Sequence, residues 1–149
     1  MCWMCDHPEA TFDDYVQEVV RPVVARLGFA VQATQSHGVP VAYTVGLSAQ
    51  GRAELVVTGK PPDDAYDLLT AALAGEEVPA PGRRCDLAHG PALWAFTVLR
   101  PQSLVVAAAL ATELTALQLV WADPLGRWPW EVHRSDQRLL CDVDRVRAA

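Results

Sequence analysis

Three apolar runs, FAVQAT (29–34), VAYTVGL (41–47) and ELVVT (54–58), follow one another with only turn residues between them. Their short length and β-branched content suit strands, and the HGVP (37–40) and SAQGR (48–52) connections each contain a glycine. The spacing predicts three short antiparallel strands in succession. The rest of the chain has to cover them.

A 3.6-residue rhythm precedes the strands, with Phe12, Tyr15, Val16, Val19, Val20, Val23, Val24 and Leu27 on one helical face. Thr11 followed by Asp14 reads as a helix cap and Gly28 as a stop. Pro22 interrupts this helix; an interior proline costs about 3 kcal/mol, so a kink or two shorter helices are expected. A second helix follows Lys60-Pro61-Pro62-Asp63-Asp64, buries Ala65, Leu68, Leu69, Ala72 and Leu73, and ends at Gly75. Residues 76–91, with three prolines and two glycines, form the longest loop. Beyond it the pattern predicts a strand at 92–99, an apolar helix at 102–114, a strand at 117–121 and a last short strand at 137–141. The order α-β-β-β-α-β-α-β describes an α+β fold, a mainly antiparallel sheet with about three helices packed on it. One domain is expected over 1–149, with a cysteine-containing segment at 1–10 and a frayed tail at 142–149.

The net charge of −6, with one lysine and scattered arginines, argues against nucleic acid as a partner. No apolar run is long enough to span a membrane, and no basic, apolar leader opens the chain. A cytoplasmic location is therefore expected, where the four cysteines stay reduced. No H-E-x-x-H, G-x-S-x-G, phosphate loop or G-x-G-x-x-G occurs.

Chemistry is concentrated in three places. Cys2 and Cys5 can present two thiolates to one zinc ion, with His7 as a third ligand and Cys85 or His89, spaced C-x3-H, as further ones. His37, His133 and Cys141 are substitutes for these. The same pair also reads as a redox dithiol, although no strand precedes it, as an N-terminal nucleophile at Cys2, or as plain reduced thiols. Secondly, Tyr43, Thr44, Glu54 and Asp123 are candidates for a polar catalytic pocket. Thirdly, Trp121, Trp128 and Trp130 surround one turn, either covering the core or lining a groove for a partner. Trp3 and Trp94 complete the tryptophans.

MCWMCDHPEATFDDYV, GFAVQAT, VAYTVGL, AELVVTG and ALQLVWADPLGRWPW together resemble the small actinobacterial proteins of domain-of-unknown-function family 4262, in order from residue 2 to about 141. The order YTVGLS, ELVVT, LQLVW is also similar to suppressor-of-fused-like domains. That second resemblance implies an α+β protein-binding module, with bacterial relatives associated with toxin immunity. Two functions are carried forward. One is a cytoplasmic binding module for a protein partner, immunity-like or regulatory and metal-stabilised at the cysteines. The other is a small metal- or thiol-dependent enzyme of specialised metabolism.

Overall fold

Pro22 leaves its mark on the first long helix of the computed structural model, which describes residues 2–142 and 144. After a single turn, α1 (Trp3–Asp6), helix α2 (Phe12–Tyr15) runs through a π-turn at Val16–Val20 into α3 (Arg21–Leu27). The Arg21 N–H reaches back to the Val16 carbonyl, and this wider turn makes room for the proline ring. The expected kink is thus a π-turn, with Val16 and Val20 still buried. Thr11 forms the anticipated capping box with Asp14.

Strands β1 (Ala30–Ser36) and β2 (Val39–Val45) form a hairpin closed by His37 and Gly38 alone. Both turn residues have positive φ, +52° and +78°, the geometry that matches strand twist in two-residue hairpins. Val39 and Pro40, expected in the turn, belong to β2. Strand β3 (Glu54–Thr58) pairs antiparallel with β2, helix α4 (Pro62–Ala74) follows, and β4 (Arg83–Arg84) lies within the long loop. Then come β5 (Leu93–Thr97), α5 (Val105–Leu110) and β6 (Ala116–Trp121). The sheet order is β1-β2-β3-β6-β5-β4, antiparallel at every pairing except β3 with β6. The fold is α+β, as the sequence predicts.

Side-chain alternation along β6 assigns the two faces. Leu117, Leu119 and Trp121 join Leu55, Val57 and Leu93 under Ala65, Leu68, Leu69 and Ala72 of α4. On the other face, Val41, Tyr43, Val45 and Val56 pack against Val20 and Val24 of the first helix and Val106 of α5. Phe96 and Val120, on that same face, are covered by Trp128, Trp130 and Leu139. Among the described residues no helix is long and apolar enough to cross a membrane.

Two expectations are corrected. The helix at 102–114 shrinks to α5 behind a 3-10 turn at Pro101–Ser103, because the chain turns extended at Ala111. The strand at 137–141 is a strap instead, with one isolated bridge between Val98 and Cys141. Side chains hold it. Thr58 Oγ1 donates to the Arg138 carbonyl (2.8 Å) and accepts its N–H (2.9 Å), while Gln118 Oε1 accepts the Leu140 N–H (2.7 Å). The Gln137 amide accepts the Trp121 N–H (2.9 Å) and donates to its carbonyl (2.6 Å), as a neighbouring strand would. Of the tail expected at 142–149, only Asp142 and Asp144 are among the described residues.

Gly59 is where the strap presses closest. Its φ is +83°, and a Cβ there would lie 2.5 Å from the Asp136 carbonyl oxygen. Gly59→Ala is expected to lower unfolding free energy by about 2–4 kcal/mol, measured by urea denaturation, whereas Gly38→Ala, facing open space at similar φ, costs about 1 kcal/mol.

Candidate functional site

The aromatic group builds from β5 outward. Trp94 and Phe96, two residues apart, emerge on one face with ring centroids 5.8 Å apart. Trp128 and Trp130, on either side of Pro129, stack nearly parallel at 5.4 Å. They meet the β5 rings edge-on, Trp94 with Trp128 at 6.5 Å and Phe96 with Trp130 at 6.4 Å. The Arg84 guanidinium lies over Trp128, 5.7 Å from the ring centre, while paired with Asp86 at 3.1 Å. Phe96 is buried; Trp94, Trp128 and Trp130 are half-buried and so keep part of their surface open. A cleft of about 380 Å³ lined by Gly82, Phe96, Leu99 and Cys141 adjoins the group.

Trp121 is not part of this surface. It points to the opposite face, buried under α4, with its indole N–H donated to the Thr58 carbonyl (2.9 Å) and Lys60 Nζ 4.1 Å from its ring centre. Sequence proximity to Trp128 and Trp130 misleads because β6 ends between them. Arg84 and Phe96 were missed for the converse reason: they come from strands remote in sequence, and only the alternation of Trp94 with Phe96 hints at a shared face.

The four polar candidates separate. Thr44 and Glu54 do come together, with Thr44 Oγ1 donating to Glu54 Oε1 at 2.9 Å while accepting the Leu55 N–H. The Glu54 carboxylate, fully buried, also accepts the N–H groups of Leu47 (3.1 Å) and Ser48 (2.9 Å) and the Ser48 hydroxyl (2.8 Å). These donors close the loop between β2 and β3. Tyr43 points the other way; its hydroxyl accepts the Val106 N–H at 3.2 Å, and burial raises its phenol pKa. Asp123 organises the turn after β6. Its carboxylate accepts the Leu125 and Arg127 N–H groups and the Arg127 Nε, and Arg127 holds its pKa low, chiefly through the backbone bond. No catalytic pocket formed by all four exists in this arrangement.

Cys2 caps α1 and Cys5 lies one turn on, both exposed. A hydrogen bond between the two thiols lowers the Cys2 pKa and raises that of Cys5. His7 turns back to stack on Trp3 (4.2 Å), its Nδ1 2.9 Å from the Trp3 carbonyl; Trp3 in turn leans on Tyr15. Cys85 lies on the opposite face of the sheet, in the α4-side core. It shares a cleft of about 560 Å³ with His89, Glu76 and Glu77. Among the described residues no three His, Cys, Asp or Glu side chains gather to hold a metal ion. The donor set at Cys2 and Cys5 therefore does not fit a closed four-ligand zinc site.

Two predictions follow from these surroundings. Thiol alkylation between pH 7 and 9 is expected to modify Cys2 first and Cys5 next, read by peptide mass spectrometry. Cys141, buried with its pKa pushed up to about 11, and Cys85, also raised by burial, react only after unfolding. Glu54→Ala leaves the Leu47 and Ser48 N–H groups without their acceptor and is expected to cost about 3 kcal/mol in urea denaturation.

Neither a curated protein nor a solved structure matches this chain. A protein-family model does, over residues 23–135; the matched span contains Glu54 and the aromatic group and begins after Cys2, Cys5 and His7. The match covers more than half of the chain, which thus belongs to the family described as Domain of unknown function (DUF4262).

Proposed function

We propose that this chain is a small cytoplasmic binding module that recognises a protein partner through the surface formed by Trp94, Trp128 and Trp130 with Arg84. The observation that carries this reading is the parallel stack of two half-buried tryptophans beside an arginine, the residue types that anchor protein interfaces. The group is held from several sides by β5, the turn and the strap, so docking would cost little reorganisation. A binding role is also favoured by the buried acid: every donor near Glu54 belongs to the fold, and its carboxylate serves to close a loop. The resemblance to suppressor-of-fused-like domains favours an immunity-like or regulatory partner.

A thiol-dependent enzyme is the second reading, favoured by the lowered Cys2 thiol. Cys2→Ser leaves partner binding unchanged under the first reading and abolishes activity under the second. Zinc at Cys2 and Cys5 would need ligands from beyond this chain's described residues.

The test uses a partner co-purified from the native host and then titrated as a pure protein. Trp128→Ala is expected to weaken binding at least tenfold, with Tyr66→Ala on exposed α4 surface as a neutral control. Equal affinity of wild type and a folded Trp128→Ala variant overturns the reading.

A further inference from the structure

Among the described residues the sheet ends on one side in β1, whose outer edge has no neighbouring strand. The hairpin determines which of its backbone groups are free. A two-residue turn makes Ser36 and Val39 a hydrogen-bonded pair, and the alternation of antiparallel ladders then turns Ala30, Gln32 and Thr34 toward β2. Val31, Ala33 and Gln35 direct their N–H and C=O groups outward. Pro40 agrees with this parity: it opposes Gln35, and its carbonyl accepts the Gly59 N–H (2.9 Å) on the β3 side.

Sheet edges are normally blunted by charge, proline, a bulge or great shortness. The far edge of this sheet obeys the rule, since β4 is two residues long and both are arginines. The β1 edge does not. AVQATQS has no charge and no proline, pairs with β2 without a bulge along its whole length, and exposes Ala33, Thr34 and Gln35.

We propose that β1 is the contact between two copies of this chain, paired antiparallel about a two-fold axis at Ala33. The outward-facing residues are symmetric about that position, so Val31 of one copy meets Gln35 of the other and each free N–H finds a carbonyl. Gln32 and Thr34 then face each other across the junction, an amide against a hydroxyl. A two-fold axis sets a charge at position 33 against its own copy and doubles every other charge on the edge. An edge without charges lets two copies of a chain of net charge −6 meet there without that repulsion. Alanine, the smallest side chain that keeps strand geometry, sits where the two copies approach on the axis. The sheet would run unbroken through both copies.

Sedimentation of the full chain over about 1–500 μM, the range of weak contacts of small area, tests the idea. Wild type is expected to pass reversibly from monomer to twice the monomer mass. Ala33→Lys and Ala33→Glu each set like charges on the axis and are expected to remain monomeric; mixed in equal amounts they recover the dimer. Ala33→Pro, which deletes only an outward N–H, is expected to be monomeric too. Wild type remaining monomeric throughout, or a dimer that persists in both Ala33→Lys and Ala33→Pro, overturns the proposal.

Discussion

The parallel pairing of β3 with β6 joins residues about sixty positions apart, and the rest of the molecule is arranged around it. Such a pair cannot close through a hairpin, so the intervening chain has to leave the sheet and return. It does so by way of α4, which covers one face, and of β4, β5 and α5, which extend the sheet and cover part of the other. Both ends of β3 are then buried and polar. Glu54 receives the loop from β2, and Thr58, beside Gln118 of β6, receives the strap. Buried polar groups of this kind are tolerable only when fully satisfied, and here their partners include backbone groups of the loop and the strap.

The local elements were legible in the sequence to the extent that local chemistry determines them. Thr11 and Asp14 announce the helix cap, and β3 has the bounds that its apolar run suggests. Pro22 signals a disturbance, but whether a helix answers with a kink or a π-turn depends on keeping Val16 and Val20 against the sheet. Residues 137–141 have strand composition. They form a strap because they cross a face of the central strands β3 and β6, whose edges are already paired, so the side chains of Thr58 and Gln118, far away in sequence, take up their backbone groups.

The same limit applies to the candidate site. Trp128 and Trp130 could be singled out by their density, yet what they stack on, Trp94, Phe96 and Arg84, is supplied by strand order. Trp121 shares their segment but not their face. The N-terminal C-x-x-C pair is a true neighbour pair because one helical turn brings it together. Its proposed third and further ligands go elsewhere, His7 onto Trp3 and Cys85 beneath α4.

The strap has an evolutionary consequence. Thr58 and Gln118 grip the main chain of residues 138 and 140, atoms that every amino acid but proline provides in full. The fastening itself therefore lies in the sheet, while the side chains of the gripped segment make their own contacts: Arg138 donates to the Ser36 hydroxyl, and Leu139 and Leu140 pack against the core. Spacing is held as well, since Gly59 meets Asp136 and the Gln137 amide must reach Trp121. A single inserted or deleted residue nearby would break these backbone bonds together, whereas a conservative exchange at 138 or 140 leaves them in place.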